Sequence, residues 1–345
     1  MMPEAIAASF IDQAVHCANM ESPFMARLCT LLTQRDWHEG QIRTRVFHWL
    51  GDTGAKGQSV PLRLCGALHA LRLNGDDALM LAYPPHDVSD EALWQAVSAA
   101  LVEHAAFIDR FIDNAPQTNE VRRAAGIIAA LHWLHARHPV PVRLTELGAS
   151  AGLNLMCDRF ALSLPDMRYE PRDAALTLSP TWTGPVPPRA APVVVDRLGV
   201  DLNPLDPQNP DDALRLQAYL WADQPHRLDM TRAAMAIAGA PVMKGDAIDG
   251  LTPRLPHVRG QLHLIYHTIA WQYFPADRQA LGRARIEAAG ASATDDTPLA
   301  WLGMEADGTD APGAALTLRL WPGNVTVQLA RIDFHGRWIN WIAPD

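Results

Sequence analysis

Residues 140–160 read VPVRLTELGASAGLNLMCDRF, and this stretch decides the fold. A short apolar run (Val140, Val142, Leu144, Leu147) meets a glycine-bounded turn, Gly148 to Gly152. Leu153, Met156 and Phe160 then recur at helical spacing, which predicts a helix over 151–160. A strand that stops at a tight turn and feeds a helix is the corner where α/β proteins hold nucleotides. Small residues let a ligand approach the backbone, and the first helical N–H groups are free to bind it.

On either side of this corner the chain has two textures. Upstream, helical patterns cover 3–19, 22–33, 60–73, 90–113 and 119–137, broken by GDTGAKGQS at 51–59 and YPPHD at 83–87. Downstream, short apolar runs alternate with helices, the mark of a doubly wound sheet. The expected strands are 141–147, 193–201, 240–244, 262–268, 298–305, 315–321 and 325–333; helices are expected at 211–238, broken near Gln224-Pro225, and at 276–289. Residues 163–192 carry seven prolines and read as a long irregular excursion, a length of loop that is often functional. The tail has turn signals at Pro322-Gly-Asn324 and His335-Gly336, which predict antiparallel strands on the sheet edge. No internal repeat is evident.

At 345 residues, with 48% hydrophobic and 19% charged residues, the composition is that of a soluble globular protein. A formal charge of −9 argues against nucleic acid as the main partner. Cys17, Cys29, Cys65 and Cys157 form no CxxC pair, so reduced thiols and a cytoplasmic setting are expected. Residues 1–13 do not resemble a signal peptide and no uncharged apolar run of ~18 residues occurs, so neither a leader nor a membrane span is expected.

Two chemistries fit the corner. Gly148-Ala-Ser150-Ala-Gly152 satisfies G-x-S-x-G, the nucleophile elbow of hydrolases, with Ser150 attacking and Asp246 or Asp296 and His267 or His335 completing a triad. The helical texture upstream and the lack of an HGGG-like oxyanion segment count against that reading. Alternatively, Glu146 before the turn gives E-x-G-x-x-x-G. This resembles motif I of the Rossmann-like S-adenosylmethionine (SAM)-dependent methyltransferases, with Ser150 in place of the middle glycine. The resemblance implies that Glu146, Gly148, Ser150 and Gly152 contact or support the cofactor.

Further motifs follow in order. Asp201, ending RLGVD, is placed to accept hydrogen bonds from a ribose diol. It lies 49 positions beyond Gly152, a gap the proline-rich excursion accounts for, and Glu170 is the alternative. Asp246, in KGDA, resembles the third-strand acid that faces the adenine amino group. His267, Trp271 and Tyr273, in IYHTIAWQYF, should line the acceptor side, with His267 as general base. The Asn-Pro-Pro-Tyr pattern of amino-group DNA methyltransferases is absent. No metal is expected: His263 and His267 lie ~13 Å apart on a strand, and His132, His135 and His138 have no completing carboxylate or thiol. Gly51 to Lys56 lacks the phosphate-loop pattern.

Together these segments resemble a bacterial family of unknown function whose C-terminal part looks like a SAM-dependent methyltransferase. The resemblance implies an all-helical N-terminal domain, 1–138. It also implies a Rossmann-like, methyltransferase-type α/β domain, 139–345, with seven strands and an antiparallel C-terminal edge. The expected function is methyl transfer from SAM to an unknown acceptor, a small molecule or protein side chain. A serine hydrolase using Ser150 and a non-catalytic SAM-binding or interaction protein are the alternatives.

Overall fold

The computed structural model describes residues 1–165, 167–169 and 171–343. Its helices are α1 (Glu4–Asn19), α2 (Pro23–Gln34), α3 (Gln41–Phe47), α4 (Val60–Leu73), α5 (Asp77–Ala82), α6 (Asp90–Glu103), α7 (Ala105–Ile112), α8 (Ala124–His135), α9 (Pro210–Ala218), α10 (Pro225–Ala236), α11 (Ala247–Leu251) and α12 (Ala276–Ala291). Its strands are β1 (Val142–Leu147), β2 (Phe160–Leu164), β3 (Met167–Tyr169), β4 (Leu176–Leu178), β5 (Thr181–Thr183), β6 (Val194–Asp201), β7 (Val242–Lys244), β8 (Leu262–Thr268), β9 (Leu299–Glu305), β10 (Ala314–Trp321), β11 (Val325–Ile332) and β12 (Trp338–Trp341). The chain divides into two compact units, Met1–Thr118 with Gln208–Asp229, and Asn119–Pro207 with Met230–Asp345. Residues 119–138, grouped by sequence with the helical part, belong to the second unit.

The first unit is helical and centres on α4, which is apolar nearly all round and correspondingly buried. Gly66 allows this packing, since a Cβ there would meet the Tyr219 ring at 2.6 Å. Helix starts are set by short polar side chains: Asp76 accepts the Leu79 N–H at 2.8 Å, and Ser89 accepts that of Ala92 at 3.2 Å. Asp223 does the same for α2, accepting the Phe24 N–H and the Ser22 hydroxyl.

The second unit is built on a mostly parallel sheet. Among the described residues it has nine strands, in the order β5-β12-β11-β10-β9-β8-β1-β6-β7, rather than the seven read from sequence. β7, β6, β1, β8 and β9 run parallel, and β10, β11 and β12 continue as an antiparallel meander. The additions are β12, within the tail expected to form edge strands, and β5, which pairs with it in parallel. β5 is three residues long and sits inside the proline-rich excursion, too short to show a period. The same excursion supplies β3 and β4, which pair with β2 at its start to form a separate small sheet.

β1 and β8 are buried along their whole length, as central parallel strands covered on both faces must be. On one face Leu147, Ile265 and Trp301 pack against Ile248 and Leu251 of α11 and Ile286 of α12. Each such side chain contributes about 1.5–3 kcal/mol of burial. The helix predicted at 151–160 forms as a 3-10 helix and not as an α-helix. Leu153–Arg159 is a run of 3-10 turns that passes directly into β2. Arg197 reaches across to take the Leu155 carbonyl at 2.8 Å and clamps Asp158 through two nitrogens, which competes with α-helical pairing at that point.

Candidate functional site

Strand order reverses between β1 and β8: β6 and β7 lie on one side of β1, and β8 and β9 on the other. In open α/β sheets the crevice beyond the carboxyl ends at such a reversal is the usual ligand site. Gly148-Ala-Ser-Ala-Gly152 occupies that position. Three of its residues have left-handed backbones, with φ of +74° at Gly148, +54° at Ser150 and +70° at Gly152. The Gly148 and Ala149 N–H groups both bond the Val200 carbonyl, at 2.8 and 3.2 Å, tying the turn to β6.

Asp201 ends β6 beside the turn. One carboxylate oxygen accepts the Ser150 N–H at 2.8 Å and the other accepts the Asn203 N–H at 2.8 Å. The Gly245 N–H bonds the Asp201 carbonyl at 2.9 Å, so the ends of β1, β6 and β7 are stitched together. Leu202, next in the chain, is 70% exposed and offers an apolar face at this edge. Glu170, the alternative ribose acceptor, lies outside the described residues.

Glu146, on β1 two residues before Gly148, is 2% exposed and takes a hydrogen bond from the hydroxyl of Tyr266, its register partner on β8, at 3.2 Å. Burial pushes its carboxyl up to about 8; the Tyr266 hydrogen bond opposes this, and the nearby Asp201 charge adds to it. At neutral pH it is mainly protonated. Sequence reasoning missed the polar segment that covers the turn. Asn119 accepts the Leu153 N–H at 2.9 Å, and Asn154 donates to the Glu120 carbonyl. Arg123 donates to the Thr268 carbonyl at the end of β8. The other amide atom of Asn154, Oδ1, is buried and has no partner among the described residues.

Two expected contacts have different tasks. Asp246 caps α11, accepting the Ile248 and Asp249 N–H groups at 2.8 and 3.1 Å, and pairs with Arg278. Burial disfavours its charge, but the Arg278 and backbone hydrogen bonds prevail and hold its carboxyl below the usual range. Its oxygens are turned to protein donors rather than to an adenine amino group. His267 is 4% exposed. Its Nδ1 meets Glu305 at 2.7 Å, and its Nε2 accepts the Trp301 indole N–H at 3.0 Å. An indole only donates, so Nε2 carries the lone pair and Nδ1 the proton. In this conformation both ring nitrogens are engaged by protein groups, and the general-base role expected for His267 would require the Trp301 bond to open.

Glu305, at the carboxyl end of β9, was missed, although acids at strand ends are the ones this fold uses. Its Oε1 also accepts the Ala270 and Trp271 N–H groups, each at 3.0 Å, and so fixes the loop after β8. Trp271 is buried and packs against His267 and Trp301. Tyr273 is 70% exposed.

The hydrolase reading loses its first histidine to Glu305 and Trp301. Ser150 itself is 4% exposed, whereas a nucleophile elbow presents its hydroxyl. All four cysteines are buried free thiols. Among the described residues no group of three or more His, Cys, Asp or Glu could hold a metal ion, and no helix is long and apolar enough to cross a membrane.

Fold and site define an α/β protein with a helical N-terminal part and a glycine corner at the reversal of a mostly parallel sheet. The chain belongs to the bacterial family described as "Uncharacterized protein conserved in bacteria (DUF2332)", whose model matches residues 7–341. No curated protein matches it. Among solved structures, the crystal structure of SCL7 in Oryza sativa matches with a TM-score of 0.25 and 12% identity. That match covers 89% of this chain, which spans 65% of the SCL7 chain.

Proposed function

We propose that the carboxyl edge of β1 and β6 binds SAM and that the protein is a methyltransferase acting on a small molecule or a protein side chain. The observation carrying this reading is the turn itself. Three of its residues are left-handed, the middle one, Ser150, bonds Asp201 through its N–H, and among the described residues Asn154 Oδ1, two residues beyond Gly152, has no partner. That donor and acceptor set suits the cofactor. Asp201 retains lone pairs for a ribose diol, Asn154 Oδ1 can accept from an ammonium group, and Leu202 can cover a purine face. Glu146, held neutral, supports the turn from below without adding charge.

The chemistry supplied by the bound cofactor is an electrophilic methyl group on a sulfonium centre. The chain contributes positioning, the main requirement of an in-line displacement. His267 orients the 269–274 loop through Glu305 instead of moving a proton. Calorimetric titration with SAM and with its demethylated product tests the reading; absence of heat at millimolar ligand sinks it. The engaged ring of His267 favours a second reading, a SAM-binding protein without turnover. Transfer of labelled methyl from SAM to any component of a cell extract would reject that second reading.

A further inference from the structure

A cavity of about 340 Å³ lies in the second unit, apart from the glycine corner. Its walls are Ile128 and Leu131 of α8, Phe160 of β2, and Pro192 and Val193 of the strap leading into β6. Val194, at its floor, pairs with Val142 at the start of β1. It therefore lies at the amino end of the strands, and seven residues of β6 separate it from Asp201, roughly 23 Å at ~3.3 Å per residue. The proline-rich excursion, which the corner does not use, closes one side of it through Tyr169 and Arg189 to Pro192.

The strap is held on both sides of Arg189. The Tyr169 hydroxyl donates to the Pro187 carbonyl, and the Ala190 N–H donates to His132 Nδ1 at 3.2 Å. Because Nδ1 accepts, the neutral ring carries its proton on Nε2. His132 is 5% exposed and lines the cavity, and among the described residues Nε2–H meets no acceptor. The charges at the rim are unequal. Asp158 is bound through both oxygens to Arg197, at 2.7 and 2.9 Å. Arg189 is exposed and has no ion pair among the described residues. An apolar chamber lined by one imidazole N–H and with one uncompensated guanidinium at its rim selects an apolar molecule that carries an anionic oxygen.

We infer that this cavity is a second small-molecule site, which takes an apolar monocarboxylate with its carboxylate at Arg189 and His132 Nε2–H and its hydrocarbon body between α8 and β2. The probe is octanoate, titrated calorimetrically into the full chain, with octan-1-ol and octylamine as comparisons. Octanoate should bind at least tenfold tighter than either. Arg189→Glu, a change at an exposed residue with no ion pair to lose, should weaken octanoate at least tenfold and leave the melting temperature unchanged. His132→Phe, which keeps a ring and removes the donor, should weaken it several-fold. Any of three results would overturn the inference: no octanoate binding, equal affinity for octylamine, or indifference to Arg189→Glu. Displacement of octanoate by saturating SAM would also overturn it, because the two ligands would then share the opposite end of the sheet.

Discussion

The carboxylate of Asp201 accepts the backbone N–H of Ser150 at 2.8 Å, which makes the end of β6 a structural support for the turn at the end of β1. The same side chain is the proposed ribose acceptor, so its removal should have two readouts. Asp201→Ala leaves two backbone donors unbonded and should cost about 1–3 kcal/mol in denaturant unfolding. SAM affinity should fall by tenfold or more in calorimetry. Asp201→Asn keeps one acceptor and should fall between. If affinity is unchanged while stability drops, Asp201 is a brace only, and the ribose role leaves this residue.

Glu146 makes stability depend on pH in a direction opposite to most carboxylates. Its folded pKa of about 8 lies above the unfolded value of about 4.3. Between those limits the folded state binds more protons, so its contribution declines as pH rises from 4.3 to 8 and is flat above. Glu146→Gln keeps an acceptor for the Tyr266 hydroxyl and removes the ionisation. Its unfolding free energy should rise relative to wild type across that window, by a few kcal/mol at most. Parallel stability profiles of the two proteins over pH 5–8 would contradict this.

The Glu305–His267–Trp301 chain predicts a tautomer. Nitrogen NMR should find the His267 proton on Nδ1; a proton on Nε2 would reverse the assignment. Glu305→Gln at pH 7 weakens three hydrogen bonds and should cost about 1–3 kcal/mol. Burial raises the Glu305 pKa, but the bonds from His267 and the loop outweigh it and bring the net value below normal. The ionised side chain therefore stabilises above the unfolded carboxylate pKa, and the effect is lost as pH falls through the lower folded value. The gap between wild type and Glu305→Gln should close in acid.

What the sequence conveyed follows from periodicity. β1, β6, β8, β9, β10 and β11 were legible to within a residue or two, because long apolar runs between turn signals have few alternatives. The corner was legible because glycine at both ends of a turn marks unusual backbone angles. The helix after it was read as α rather than 3-10 because Leu153, Met156 and Phe160 match α-helical spacing. Arg197, 42 residues on from Leu155, takes the carbonyl that a helix would use, and no local pattern reveals that. β3, β4 and β5 were hidden among prolines, and β2 at the end of the segment read as a helix, for a similar reason: they depend on pairing partners, not on their own alternation. Asp201 was found by its place at a strand end, as Glu305 could have been. The roles of Asp246 and His267 turn on Arg278 and Trp301, partners that only the folded chain brings close.

The two glycines of the corner should be intolerant of alanine for separable reasons. At Gly148 the φ of +74° costs an L-residue about 1–2 kcal/mol. A Cβ would also stand 2.6 Å from that of Ala270, adding an overpacking cost of about 1–3 kcal/mol. Ala270→Gly removes the opposing methyl and leaves the backbone of residue 148 as it was. The double variant Gly148→Ala/Ala270→Gly should therefore recover the steric part and keep the conformational part, giving a coupling of about 1–3 kcal/mol in a double-mutant cycle. At Gly152 the clash is with Val242 Cγ2 at 2.8 Å, so Val242→Ala should relieve Gly152→Ala in the same way. Additive costs in both cycles would mean that the turn shifts away from its neighbours when a side chain is added. Alanine would then be excluded by backbone angle alone, and the close packing of β1's turn on β7 and the 270 loop would not be what fixes the site.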